Sequence, residues 1–180
     1  PKNSTKYKRG RTLLIVGSEK YPGAAYLAIK GAISSGTGFV SAILPDSVAN
    51  SIWQVAPEVV VKGKLYSDSN GNSILFNSLK NVDLSSYDSI VIGPGIGLNK
   101  EDWEKSTDYL LDIKGLLILD ADALNRISKS NLGSNFFLER KSETWITPHY
   151  GEFIRLFPEI DCKNSVEKAM KAATEFNISI

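Results

Sequence analysis

Hydrophobic residues recur along the chain in short continuous runs, separated by polar or helix-patterned stretches. The runs cover residues 12–17, 39–44, 58–63, 89–93, 115–120 and 144–148. Apolar and polar positions do not alternate within them, which is typical of strands buried on both faces of a parallel sheet. The pattern therefore predicts parallel strands covered by helices.

Helical spacing fills the stretches between these runs. Residues 24–35 are rich in alanine, and two further segments, 101–111 and Ser165–Phe176, carry their apolar residues on one side. These one-sided residues are Trp103, Thr107, Leu110 and Leu111 in the first segment, and Val166, Ala169, Met170, Ala173 and Phe176 in the second. Strands alternating with helices predict right-handed βαβ units and a doubly wound α/β sheet. The polar, glycine-marked stretch 63–73 predicts a surface hairpin.

Composition narrows the class of protein. A chain of 180 residues with 42% hydrophobic content predicts a single α/β domain over residues 1–180. The 21 basic and 20 acidic residues nearly cancel, which argues against a nucleic-acid or membrane partner. The single cysteine, Cys162, indicates a reducing compartment, so we expect a cytoplasmic protein. One cysteine and one histidine argue against a zinc site.

Four segments with candidate chemistry each follow a predicted strand. They read VGSEKYPGAA, VIGPGIG, LDADALN and ITPHYGEF. In open parallel sheets, ligands bind outside the carboxyl ends of the strands. The sequence therefore predicts that the glycines, the acidic pair and the only histidine share one rim of the sheet.

The two glycine-containing segments favour close approach of a ligand to the main chain. The first predicts a helix beginning near Pro22 whose free N–H groups could face an anion, but it lacks the dinucleotide-binding fingerprint. The second has Gly93, Gly95 and Gly97, which would leave the main chain bare for a passing ligand. The alternative for both is an ordinary turn required only by the topology.

The other two segments supply titratable groups. Asp120, at the end of a strand, is a candidate for facing a ligand or a magnesium-bound water, whereas Asp122 could cap the following helix. His149, with Glu152 three residues later, could donate a hydrogen bond to a phosphate or an amide. Structural roles in capping and turns are the alternative for all four residues.

Taken in order, these segments resemble the NAD(P)H-hydrate dehydratase family of ribokinase-like proteins. The resembling stretches are GRTLLIVGSEKYPGAAYLA, GAISSGTGFVSAILP, VIGPGIG, LILDADALN and TWITPHYGEF. The resemblance implies a ribokinase-like fold and a repair reaction that uses ADP or ATP with Mg²⁺. In it, the ring hydroxyl of hydrated NADH or NADPH is phosphorylated and phosphate is then eliminated.

Residue by residue, the resemblance implies that the substrate is bound by Ala24, Gly95, Gly97, His149 and Glu152. It also implies assembly into a homo-oligomer. Because the GPGIG loop would then line the substrate, Gly97→Val is expected to block binding while leaving the fold mostly intact.

The chain departs from the family pattern at both ends. Thr5 and Tyr7 stand where the resemblance leads us to expect histidine and glycine, so we assign no phosphate role to the basic arm. The family's Gly-Thr-Gly-Asp segment, whose aspartate is the general base, would follow Ile180. We therefore assign no catalytic residue and expect the C-terminal part of the fold to be missing, with a strand from Ile178 too short to pair.

Three explanations of that departure stay open: a fragment, a protein completed by a second chain, or a degenerate relative. Two alternative functions also remain at this stage. One is a ribokinase-like kinase acting on a small vitamin alcohol. The other is a non-catalytic remnant that only binds a nucleotide.

Overall fold

Six parallel strands form one sheet in the computed structural model, which describes residues 6–180, with side chains from Lys8 onward. With the two strands of a separate hairpin, the described residues form eight strands: β1 (Arg11–Ile15), β2 (Phe39–Leu44), β3 (Val60–Lys64), β4 (Tyr66–Ser67), β5 (Ser73–Ile74), β6 (Ser89–Ile92), β7 (Leu116–Leu119) and β8 (Thr144–Ile146). The sheet order is β3-β2-β1-β6-β7-β8, and β4 and β5 pair separately as an antiparallel hairpin. Each predicted strand and the hairpin are therefore confirmed. Thr5 and the Tyr7 side chain lie outside the described residues.

The helices are α1 (Pro22–Ser34), α2 (Asp46–Ala49), α3 (Leu75–Leu79), α4 (Lys100–Leu111), α5 (Asp122–Lys129), α6 (Asn135–Glu139), α7 (Tyr150–Leu156) and α8 (Ser165–Phe176). Proline suits the first position of α1, where no N–H donor is needed. Asn99 and Asn164 cap α4 and α8 by accepting from main-chain N–H groups. The sequence pattern missed α2, α3 and α6 because helices of four or five residues are too short to show a period.

The sheet separates two hydrophobic cores, which confirms the doubly wound arrangement. Leu13 and Ile15 of β1 point into the larger core, whereas Leu14 and Val16 point into the smaller one. Alternate residues of a strand face opposite sides of its sheet, so one strand supplies both cores. Helix α1 covers the smaller core, and α4 to α8 cover the larger one. A single domain over residues 1–180 stays a prediction.

The chain changes direction between β1 and β6. From β1 it passes through α1 to β2 on one side, and from β6 through α4 to β7 on the other. The loops leaving these two adjacent strands therefore diverge to opposite faces of the sheet. Open α/β sheets bind ligands in the crevice at such a switch point.

Two predicted burial patterns are wrong. β3 is an edge strand with Val60 and Val61 exposed by 36% and 39%, rather than a strand covered on both faces. In α8, Phe176 is buried as predicted, but Val166 and Met170 are exposed, and Ala172 is buried in addition to Phe176. Within residues 6–180, no helix combines the length and apolar character needed to cross a bilayer.

The chain after α8 does pair with the sheet, contrary to expectation. Ile146 N–H donates to the Ser179 carbonyl at 2.8 Å, and Ser179 N–H donates to the Thr144 carbonyl at 3.0 Å. These bonds form a parallel bridge beside Trp145 of β8. Two bonds suffice to align Ser179 with the outer strand.

Candidate functional site

The four segments with candidate chemistry lie along one edge of the sheet, as predicted. They follow β1, β6, β7 and β8, which are adjacent and parallel. Hydrogen bonds join neighbouring segments: Gly17 N–H to the Pro94 carbonyl at 2.8 Å, Gly97 N–H to Asp122 Oδ2 at 2.8 Å, and Asn125 Nδ2 to Glu152 Oε1 at 3.5 Å. The segments therefore form one connected rim that includes the switch point.

Glycines in the GPGIG loop are enclosed by the protein's own atoms. Gly93 and Gly95 have φ values of 133° and 70°, which L side chains rarely adopt. A Cβ on Gly93 would overlap the carbonyl oxygen of Asp120, and a Cβ on Gly95 would overlap the Cβ of Ala24. Close packing of the chain on itself is thus sufficient reason for the small residues here.

Gly97, a predicted substrate contact, is buried among the protein's own atoms. Its φ is 73°, and a Cβ would overlap the side chain of Asn72. Its N–H donates to Asp122, while its carbonyl accepts from Arg126 Nε at 2.7 Å. The expectation that Gly97→Val would spare the fold is therefore wrong, since valine would collide with Asn72. A substrate contact at Gly97 stays a prediction.

The hairpin β4–β5 lies at the surface as predicted, with Ser67, Ser69 and Asn70 exposed, but its end at Asn72 and Ser73 packs into the crevice at the switch point. Ser73 Oγ donates to the Gly17 carbonyl at 2.8 Å, and Ser73 N–H donates to the Ile96 carbonyl at 2.8 Å. Asn72 and Ser73 are both buried. The sequence did not predict this contact, because a polar, glycine-marked turn has the same sequence pattern whether it is solvated or packed.

Ala24 and Gly95 form a half-buried surface without large side chains, where the first turn of α1 meets the GPGIG loop. Tyr21 lies at the edge of this surface and is 52% exposed. Ala24 N–H donates to the Tyr21 carbonyl at 3.2 Å, which fixes the start of α1. The GPGIG loop and the first turn of α1 are thus packed directly against each other at this part of the rim.

His149 and Glu152 begin α7 as a reciprocal cap. Gly151 N–H donates to His149 Nδ1 at 3.0 Å, and His149 N–H donates to Glu152 Oε2 at 3.0 Å. Because Nδ1 accepts, the proton of the neutral ring is on Nε2, which lies 3.3 Å from Glu152 Oε1. The histidine side chain is 68% exposed, whereas Glu152 is buried. The ring therefore has a structural role and still reaches solvent at the rim.

The acidic pair has two different environments. Asp120 Oδ1 accepts from Ala121 N–H at 2.9 Å, and Asp120 remains half-buried at the end of β7. Asp122 does not cap its own helix as expected, because its carboxylate binds Gly97 instead. Ala121 between them has φ 49° and ψ −115°, a sparsely populated conformation for an L-residue. Asp120 as a ligand contact stays a prediction.

Arg126 is the rim residue that sequence reasoning missed. It is 1% exposed and pairs with Asp102 of α4 through Nη1 at 2.9 Å from Oδ2. Burial lowers the pKa of Arg126, while the Asp102 carboxylate opposes that shift. A signal was available: Arg126 falls beside Ala123 and Ile127 on the buried face of α5, where an unpaired charge is not expected.

Asp102 joins this pair to the hairpin region. Its carboxylate also accepts from the N–H groups of Leu75 and Phe76, at 2.7 Å and 3.0 Å. The two residues are the first of α3. Asp102 thus neutralises Arg126 and satisfies the start of α3 at the same time.

Cavities lie both beside the rim and at the amino end of β8, where one of about 420 Å³ is lined by Lys141, Glu143 and Thr144 among others. One of about 560 Å³ is lined by Phe76, Asn99, Asp102 and Lys105 among others, next to the loop after Gly97. Among residues 6–180, no three or more His, Cys, Asp and Glu side chains are grouped to hold a metal ion. The carboxylates of the described rim are therefore isolated from one another and do not form a group that could hold a metal ion.

A family model described as NAD(P)H-hydrate dehydratase matches residues 12–180 and thus spans all four rim segments. The chain belongs to the NAD(P)H-hydrate dehydratase family. The resemblance drawn from the sequence is confirmed.

Two curated relatives of this family member are called bifunctional NAD(P)H-hydrate repair enzyme Nnr. The Synechocystis protein is 38% identical over 168 residues, which cover 93% of this chain and 30% of the relative. The Gloeobacter violaceus protein is 36% identical over 173 residues, which cover 96% of this chain and 32% of the relative. The chain thus spans about a third of the length of these relatives.

Solved structures share the fold of this dehydratase-family chain. A ribokinase-like superfamily protein from Enterococcus faecalis has a TM-score of 0.76 and 25% identity, over 99% of this chain and 59% of that one. An ADP/ATP-dependent NAD(P)H-hydrate dehydratase from Bacillus subtilis, co-crystallized with ATP and Mg²⁺, has a TM-score of 0.69 and 27% identity over the same shares. The ribokinase-like fold is therefore confirmed.

Proposed function

We propose that this chain forms the substrate-binding part of an ADP/ATP-dependent NAD(P)H-hydrate dehydratase. One observation carries the proposal: the family match runs through residues 12–180 and includes every segment of the connected rim. A protein called by that activity shares the fold over 99% of this chain. The proposed reaction restores NADH or NADPH from its hydrate.

The proposed substrate is a hydrated nicotinamide nucleotide lying along the rim. Ala24 and Gly95 offer a half-buried surface with little side-chain bulk, which suits the flat ring or a sugar. His149, at the β8 end of the rim, has an exposed ring that can meet a polar group of the substrate. Glu152 acts by holding the His149 main chain. We place the ring of the substrate nearest the switch point.

The chemistry has two balanced steps. The hydroxyl oxygen on the hydrated ring attacks the terminal phosphorus of ATP or ADP, releases ADP or AMP, and loses its proton. The carbon–oxygen bond to the new phosphate then breaks, and the neighbouring ring carbon loses a proton to restore the double bond. We assign no general base within residues 6–180.

Mg²⁺ fits this rim as an ion carried by the nucleotide. Mg²⁺ usually keeps several waters and binds one or two carboxylates together with substrate phosphates. Asp120 is the half-buried carboxylate at the end of β7 and would bind such a water. The ion would neutralise charge on the transferred phosphate.

The test is to incubate hydrated NADPH with the full-length natural protein, Mg²⁺ and either ADP or ATP. We expect recovery of the reduced-nicotinamide absorbance and release of inorganic phosphate in equal amounts. Phosphorylation of a panel of vitamin alcohols without such recovery would instead support a kinase. Tight binding of the hydrate with no turnover would support a non-catalytic remnant.

Assembly and compartment stay predictions within this proposal. The predicted homo-oligomer rests on the family resemblance alone. Light scattering coupled to size exclusion would measure the number of copies. We also keep the cytoplasm as the expected compartment, which localisation of the tagged protein would test.

A further inference from the structure

Gly97 is held from both sides by a single helix. Its N–H donates to Asp122 Oδ2 at 2.8 Å, and its carbonyl accepts from Arg126 Nε at 2.7 Å. Asp122 and Arg126 are four residues apart on α5, so their side chains lie on the same face of that helix. The main chain of the GPGIG loop is therefore fixed at its last glycine by two charged groups.

Arg126 extends this hold to the neighbouring segments. Its Nη2 donates to the Ile96 carbonyl at 3.0 Å and to the Ser73 carbonyl at 2.7 Å, while Nη1 faces Asp102. Three of the four bonds thus end on main-chain carbonyls of the loop and the hairpin. A flat guanidinium can reach several acceptors at once in one rigid geometry, which lysine cannot.

The loop needs such a hold. Three glycines with positive φ lie within five residues, and glycine has more conformations to lose on ordering than any other residue. A loop that samples many shapes binds its ligand more weakly, in proportion to the fraction in the competent shape. Fixing Gly97 in advance removes that loss.

We propose that Arg126 and Asp122 are positioning residues, which keep the GPGIG loop in the shape that binds the hydrated nicotinamide nucleotide. The proposal rests on the proposed function, because it concerns binding of that substrate. Asp102 supports it by keeping the buried guanidinium charged and oriented. The arginine itself is enclosed and acts only through the main chain of Ile96, Gly97 and Ser73.

The test compares Asp122→Ala and Arg126→Lys with Arg140→Lys in the full-length protein. Arg140 is a second buried arginine whose partners lie elsewhere, around Leu110, Ile113 and Thr144, so it is the matched control. The measurements are the dissociation constant for hydrated NADPH, the KM for ATP, and hydrogen exchange in residues 93–98. Melting temperature is recorded for every variant.

For Asp122→Ala and Arg126→Lys we expect hydrate binding to weaken roughly tenfold, since each loses a charge-assisted bond to the loop. Exchange in residues 93–98 should accelerate, and the KM for ATP should stay within about twofold of the unmodified value. Arg140→Lys should lower the melting temperature without changing the affinity for the hydrate. If Arg126→Lys does not fold, Asp122→Ala decides alone.

Folded Asp122→Ala that binds the hydrate as tightly as the unmodified protein would overturn the positioning role and leave the proposed function standing. Equal weakening by Arg140→Lys would also overturn it, because any loss of stability would then suffice. If the unmodified protein does not bind hydrated NADPH, the proposed function fails and the positioning role fails with it. Binding of hydrated NADPH by the unmodified protein distinguishes the first two outcomes, in which it binds, from the third, in which it does not.

Discussion

The two ends of the sheet each contain a buried arginine, and their partners differ. At the carboxyl ends of the strands, Arg126 pairs with Asp102 and binds loop and hairpin carbonyls. At the amino ends, Arg140 binds carbonyls at the end of α4 and the Thr144 hydroxyl, with no carboxylate partner among the described residues. The carboxyl end thus uses an ion pair to shape a loop, and the amino end uses a cation to satisfy a helix terminus.

The largest effect we expect follows from breaking the ion pair. Arg126→Met would leave the Asp102 carboxylate buried without its countercharge, which costs about 3–5 kcal/mol of unfolding free energy. Asp102→Asn combined with Arg126→Met should cost less than the sum of the single changes, because the stranded charge is then absent. Urea denaturation measures both. A loss below about 1 kcal/mol for Arg126→Met would contradict the pair's importance to the carboxyl end.

Gly97→Ala should cause the next largest loss of stability, and it tests the close packing at the carboxyl ends of the strands. Alanine there combines a φ of 73° with a collision against Asn72, so we expect a loss of about 2–3 kcal/mol. Gly23→Ala is the matched control, since nothing lies within 4 Å of its Cβ position in α1. The control should be neutral or more stable by about 0.4–1 kcal/mol. Equal denaturation midpoints for the two variants would show that the loop tolerates a side chain.

Arg140→Met tests the amino end and should cost less than Arg126→Met, about 1–3 kcal/mol, through carbonyls left without a donor. Burial lowers the pKa of Arg140 to about 10, so the folded state disfavours its charge. That penalty is present at neutral pH and fades only as the pH rises above about 10. Replacing Arg140 removes this penalty as well, which offsets part of the stability lost with its hydrogen bonds. A larger loss than that of Arg126→Met in urea would reverse the comparison.

The contrast between the two ends also marks how far the sequence could predict this molecule. The continuous apolar runs were sufficient to predict the strands. The position of the four segments after parallel strands was sufficient to predict that they share one rim. The hairpin's position was beyond reach, because the contact between Ser73 and Gly17 joins residues far apart in sequence. Arg126 was missed because a charged residue in a short helix is ordinarily solvated, and its partner Asp102 lies on another helix.

The glycines of the GPGIG loop show a second limit of prediction from sequence. The sequence predicted that Gly93, Gly95 and Gly97 either leave the main chain bare for a ligand or serve a turn required by the topology. It could not distinguish a ligand from the protein's own atoms as the cause. Asp120, Ala24 and Asn72 occupy the space that each Cβ would need, so close packing accounts for these glycines, and a substrate contact stays a prediction.

The smallest expected effect concerns the hairpin turn that holds Asn72 over Gly97. Partial burial raises the pKa of Asp68, but hydrogen bonds from Asn72, Asn70 and Asn99 outweigh it and lower the pKa overall. A lowered pKa means that Asp68 stabilises the fold above its ordinary pKa and loses this contribution as the pH falls through the folded value. Asp68→Asn should therefore cost a small amount of stability at neutral pH, and the difference from the unmodified protein should shrink as the pH falls through the folded pKa of Asp68. Unchanged acid-unfolding curves would mean that the turn does not need the charge, and that the hold on the GPGIG loop comes from Asp122 and Arg126 alone.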